Sequence, residues 1–114
     1  MPVTADEVRE LARTLPRSYE AWVRDRLKLR VGQIVYVAFS RDETDMGFAF
    51  PKDERADLVA GEPTKFFMPP TSDLRYNWVC VHLAAIDPDE MYELVCDAWR
   101  MCVPKKVARE RFGS

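Results

Sequence analysis

Arg24, Arg26, Lys28 and Arg30 alternate with Asp25, Leu27, Leu29 and Val31. A period of two puts the four cations on one face of a strand, with Leu27, Leu29 and Val31 turned to a core on the other. Successive cations then stand ~6.6–7 Å apart. That is close to the phosphate-to-phosphate distance along a nucleic-acid strand, so the row has the chemistry of a backbone-tracking surface. The polar outer face of a half-buried antiparallel strand has the same pattern, and both readings stay open. A second cationic group, Lys105, Lys106, Arg109 and Arg111 against Glu110, follows Pro104. It either adds phosphate contacts or complements the dipole at the end of the preceding helix. Lys52, Arg55 and Arg75 border expected loops. Tyr76 and Trp78 are surfaces for stacking on bases if exposed, and core residues if not.

Catalytic chemistry finds little to work with. His82 is the one histidine. It sits mid-strand between Val81 and Leu83 and is expected to be a hydrogen-bonded residue of a half-buried sheet face. No GxSxG, HExxH, P-loop or GxGxxG occurs. Four glycines in the whole chain leave no glycine-rich phosphate cradle. Asp42, Glu43 and Asp45 lack the glycine and distal glutamate of a calcium loop and read as a solvated hairpin link. The three cysteines, Cys80, Cys96 and Cys102, form no CxxC pair, so a disulfide framework or thiolate zinc site is not expected. They read as small core residues. The expectation is a non-enzymatic binding protein without metal or cofactor.

The elements that must hold these residues follow from periodicity. Thr4 and Glu7 form a capping box ahead of Val8, Leu11, Ala12 and Leu15, a helix stopped by Pro16. Ser18 to Val23, with Tyr19 and Trp22 three apart, suggests a short helical turn. The basic strand from Arg24 to Val31 leads through Gly32-Gln33 into an apolar run, Ile34 to Phe39, read as a central strand. Met46, Phe48 and Phe50 alternate with Gly47 and Ala49 in a third. A short helix is expected over Asp53 to Ala60, packed by Ala56 and Val59 and stopped by Gly61. A brief strand follows at Lys65 to Met68, then a fifth over Tyr76 to Ala85. The closing helix starts at the N-cap Asp87 with Pro88 first, buries Met91, Leu94, Val95, Ala98 and Cys102, and breaks at Pro104. The expected order is α-β-β-β-α-β-β-α, a two-layer α+β fold with an antiparallel five-stranded sheet packed by helices. One domain over residues 1–114 is expected from the length.

Composition agrees with a folded domain: 47% hydrophobic and 32% charged residues, net charge −2. The slightly acidic whole means that nucleic-acid binding must rest on a local basic face. No apolar stretch approaches the ~20 residues of a membrane span, and the N-terminus lacks the pattern of a signal peptide. A cytoplasmic protein is expected.

Several stretches together carry a family resemblance. They are Leu11-Ala12-Arg13-Thr14-Leu15-Pro16, Leu29-Arg30-Val31-Gly32 leading into Ile34-Val35-Tyr36-Val37, Phe50-Pro51-Lys52, Tyr76-Asn77-Trp78-Val79-Cys80-Val81, and the closing Ala98 to Lys106 with its Pro-Lys pair. In order and spacing the chain resembles the MmcQ/YjbR family of small bacterial proteins, departing from it with Ala98-Trp99 where many members have Ser-Tyr. The resemblance implies a compact domain with a "double-wing" DNA-binding motif, similar in architecture to secretion-chaperone-like and frataxin-like folds. It makes DNA the expected partner, with Arg24, Arg26, Lys28, Arg30, Lys52, Arg55, Arg75, Lys105, Lys106 and Arg109 as candidate phosphate contacts. Two other expectations stand beside it. One is a protein-interaction or chaperone-like module, with a homodimer as one form, using an exposed strand edge or Phe66-Phe67-Met68-Pro69-Pro70. The other is a small-ligand pocket between sheet and helices.

Overall fold

Thr4 begins the first helix by a reciprocal cap: its hydroxyl accepts from the Glu7 backbone N–H, and the Glu7 carboxylate accepts from the Thr4 N–H, each at 3.3 Å. The structure, a computed structural model, describes residues 3–113. Helix α1 (Ala5–Arg13) is followed by four strands in a meander: β1 (Ser18–Val23), β2 (Arg26–Val31), β3 (Ile34–Phe39) and β4 (Asp45–Ala49). Helix α2 (Lys52–Gly61), a two-residue strand β5 (Phe66–Phe67) and strand β6 (Trp78–His82) come next. Helices α3 (Pro88–Arg100) and α4 (Lys105–Phe112) close the chain. The sheet order is β1-β2-β3-β4-β6-β5, with every pair antiparallel.

The expected α+β class and antiparallel sheet are present, with six strands rather than five. The added strand is β1, where the spacing of Tyr19 and Trp22 suggests a helical turn. Ser18–Val23 instead pairs residue for residue with β2, Ser18 opposite Val31 and Val23 opposite Arg26. The hairpin turn is Arg24-Asp25, with φ of 51° and 66°, the left-handed pair that a two-residue primed turn requires. Neither residue is a glycine or asparagine, so the turn carries little sequence signal. Arg24 therefore lies in the turn, not in the strand. The next turn does carry its signal: Gly32 alone takes a positive φ, 58°.

One irregularity decides what the sheet buries. Leu29 pairs with Val37 but Arg30 pairs with Val35, so Tyr36 is the extra residue of a β-bulge. Tyr36 and Val37 are consequently both buried, although neighbours in a regular strand point to opposite faces. The Tyr36 hydroxyl shares a 2.5 Å hydrogen bond with Ser18 Oγ, and burial pushes its pKa up to about 12.

The inner face of the sheet carries Leu27, Leu29, Phe39, Met46, Phe48, Phe66, Val79 and Val81, all buried. Val8 and Ala12 of α1 and Met91, Val95, Ala98 and Trp99 of α3 close over it. Fully burying a side chain of this size stabilises the fold by about 1.5–3 kcal/mol. Trp99 is completely buried, and its indole N–H donates to the Pro16 carbonyl at 2.8 Å. That bond settles the polar end of the Trp99 ring. The residues after Pro104, expected as a basic tail, form helix α4. Val107 is buried in the core, and Phe112 meets Trp99 edge-on at 5.8 Å. Among the described residues no helix is long and apolar enough to cross a membrane.

Candidate functional site

The hydrophobic set Leu27, Leu29 and Val31 locks β2 to the core, so Arg26, Lys28 and Arg30 must project from the opposite, outer face. Cross-strand pairing fixes their company. Tyr19, Ala21 and Val23 of β1 stand opposite Arg30, Lys28 and Arg26. Val35 and Ala38 of β3 stand opposite Arg30 and Lys28. None of these eight residues is buried and none is acidic. Arg24 is exposed at the hairpin tip, outside the strand. None of Arg24, Arg26, Lys28 and Arg30 forms an ion pair among the described residues, and Glu20 of β1 and Asp6 of α1 are engaged with Arg9, at 2.9 Å and 3.4 Å. Glu20 points to the inner side, and its hydrogen bond with Arg9 holds its carboxyl below the usual range.

Arg30 carries an orphan. Its Nε–H is buried and has no acceptor among the described residues. An unsatisfied buried donor costs about 1–3 kcal/mol. Arg30→Met keeps most of the aliphatic stem and removes the donor, so it is expected to raise the free energy of unfolding by about 1 kcal/mol. An unchanged or lowered urea midpoint would contradict this.

The outer face changes character beyond β3. Gly47 of β4 lies under the Trp78 indole, and a Cβ there would sit 2.5 Å from Trp78 Nε1. Asp45 and His82 pair across β4 and β6, with Oδ1 2.7 Å from Nδ1, and Phe67 stacks on the imidazole at 4.5 Å. The histidine is thus hydrogen-bonded, as expected, by a partner 37 residues away in the chain. Cys80 is buried on this face, and burial pushes its thiol up to about 11. Burial raises Cys96 and Cys102 as well. In the β3–β4 loop the Asp42 carboxylate accepts from Ser40 Oγ and Thr44 Oγ1, each at 2.8 Å. It serves the turn. Among the described residues no cluster of three histidine, cysteine, aspartate or glutamate side chains could hold a metal ion.

The remaining predicted cations are dispersed. Arg55 is 7% exposed. Its guanidinium donates to the backbone carbonyls of Tyr76 at 2.9 Å, Trp78 at 3.1 Å and Leu74 at 2.5 Å. Asn77 bonds toward the β4 side, so the carbonyls of Tyr76 and Trp78 point to the other edge, beyond the end of the two-residue β5. Arg55 takes the place of the missing strand there, and no phosphate can reach it. Ala56, expected to pack α2, is exposed instead.

Lys52 and Arg75 border the sheet on the β6 side. Lys52 Nζ reaches the Arg75 carbonyl at 3.4 Å, and the Arg75 guanidinium covers the Tyr76 ring at 4.8 Å. Three strand spacings put β6 roughly 14 Å from β2. Lys105, Lys106 and Arg109 are exposed on α4, which packs with α1 and α3: Arg111 reaches Thr14 Oγ1 at 3.5 Å. That layer lies across the sheet from Arg26, Lys28 and Arg30. Lys105 and Lys106 occupy the first turn of α4, where positive charge opposes the helix dipole. The expected dipole role is therefore reversed for the two lysines, whereas Arg109 and Arg111 lie in the last turn of α4 and complement its dipole.

Other expected surfaces are modest. In the Phe66 to Pro70 segment, Phe66 is buried and Phe67 is engaged with His82. An open depression of about 210 Å³ lies between α1 and β1, lined by Arg9, Ala12, Arg13, Tyr19, Glu20 and Leu29 among others. Its charged groups already pair with one another.

Comparison with known proteins agrees with the fold. A family model described as YjbR matches residues 13–101. A solved structure, protein DR2400 of Deinococcus radiodurans with a DUF419 domain, is similar with a TM-score of 0.77 at 20% sequence identity. The match covers 96% of this chain and 88% of that one. The likeness is one of fold. No curated protein matches the chain in sequence.

Proposed function

The chain belongs to the YjbR family, and we propose that it is a DNA-binding protein, not an enzyme, whose outer sheet face holds the phosphate backbone. The observation that carries this reading is the file of Arg26, Lys28 and Arg30 on an uncovered face that has no carboxylate partner for them. Surface cations serving only solubility are normally interspersed with acids. Around this file the acids are drawn to the inner side and to the loops, and Asp45, on the β4 part of the face, is taken by His82. The orphaned Arg30 Nε–H points the same way, because a group that costs stability is typical of a functional position. Binding rests on phosphates with little base readout, since no arginine- or asparagine-rich helix is presented to a groove. A binding role fits the side chains, too. The three thiols are held protonated by burial, and His82 Nδ1 is taken by Asp45.

The test is a titration of labelled DNA at several salt concentrations. Three phosphate contacts predict a slope of log affinity against log salt between about −2 and −3, with the DNA recovered chemically unchanged. No binding at low salt would refute the proposal.

A further inference from the structure

Resting on that phosphate-binding reading, we infer that the open face takes a single-stranded polynucleotide in preference to a duplex. A duplex presents two phosphate files across a groove ~12 Å wide, and gripping it needs two cationic lines on one side of the protein. This fold supplies one. Arg26, Lys28 and Arg30 form a single file along β2, while Lys105, Lys106 and Arg109 lie in the helical layer on the other side of the sheet. The pitch of the β2 file, ~6.6–7 Å, suits one extended sugar-phosphate chain.

The same face supplies stacking surfaces. Tyr19 stands directly opposite Arg30 and is 45% exposed. Its ring lies beside the cations, and its hydroxyl donates to the Gly32 carbonyl at 2.5 Å, away from the face a base would stack on. On the other side of the file, Ala38 makes a low floor opposite Lys28, bounded by the Trp78 indole, which covers the neighbouring Gly47. An aromatic platform, a cation file, a low floor and a second aromatic suit splayed bases with a neutralised backbone. A duplex keeps its bases stacked inside and cannot use them.

Fluorescence anisotropy on the full chain at low salt tests this, with oligothymidylate, oligouridylate and a DNA duplex, each about 12 nucleotides long. The expected result is that the better-bound single strand, of either sugar, binds about tenfold more tightly than the duplex. Tyr19→Ser is expected to weaken single-strand binding about tenfold, while Tyr19→Phe, which keeps the ring, stays within about twofold of wild type. Duplex affinity equal to or above that of both single strands would overturn the inference and leave phosphate binding standing. So would loss of affinity in Tyr19→Phe as large as in Tyr19→Ser. Failure to bind any of the three polynucleotides would instead overturn the reading on which the inference rests.

Discussion

Replacing Arg55 with alanine is expected to lower the free energy of unfolding by about 3 kcal/mol. The guanidinium is the one buried charged side chain among the described residues, and it satisfies the carbonyls of Leu74, Tyr76 and Trp78 at the open edge of β6. Truncation leaves three part-buried carbonyls without their donor and a void where the side chain packed. Arg55→Lys is expected to recover only part of the loss, because a single ammonium cannot span three carbonyls as the planar fork does. Urea unfolding reads the effect as a lower midpoint at an unchanged slope. A loss below about 1 kcal/mol would mean that the edge is held by something else. Polynucleotide affinity of the folded Arg55→Lys protein is expected to stay at the wild-type level, since Arg55 takes no part in the outer-face file.

The second large effect concerns the outer face. Changing Arg26, Lys28 and Arg30 together to glutamate is expected to weaken polynucleotide binding on the order of 100-fold at ~0.1 M salt. Three phosphate contacts are lost, and three negative charges then face the backbone. The matched control changes Lys105, Lys106 and Arg109 to glutamate. These lie on the opposite side of the sheet, and at ~0.1 M salt the screening length is ~10 Å, so affinity is expected to stay within about threefold of wild type. In α4 the control puts acids into the first turn, which suits the dipole, and one in place of Arg109 in the last turn, which opposes it, so its net effect on stability is expected to be small. Equal losses in the two variants, read by anisotropy, would show that net charge and not a face governs binding.

The sequence made the period of β2 plain, because Leu27, Leu29 and Val31 leave its alternation only one register against a core. The termini of α1 and α3 were equally readable from Thr4, Glu7 and Asp87, whose caps form as expected. Elements stabilised from a distance were not readable. β1 exists because β2 offers it a pairing edge through a turn of Arg24 and Asp25, and neither residue announces a left-handed conformation. α4 follows a helix-breaking proline and forms because Val107 and Phe112 find the core and Trp99.

The candidate site divides along the same line. Arg26, Lys28 and Arg30 share a face because strand geometry is local. Whether Lys105 or Arg55 joins them depends on tertiary placement, and the fold sends one across the sheet and buries the other. Tyr19 was the missed member of the site. Its spacing from Trp22 suggested a helix, and only the pairing with Arg30 puts it beside the cations.

The most direct test of the central claim, that one open sheet face holds the phosphates, is the salt dependence of single-strand binding in wild type and in the two triple variants. Wild type and the α4 variant are expected to share a slope of about −2 in log affinity against log salt, while the β2 variant falls close to zero. A β2 variant that keeps the wild-type slope, or an α4 variant that loses it, would contradict the account.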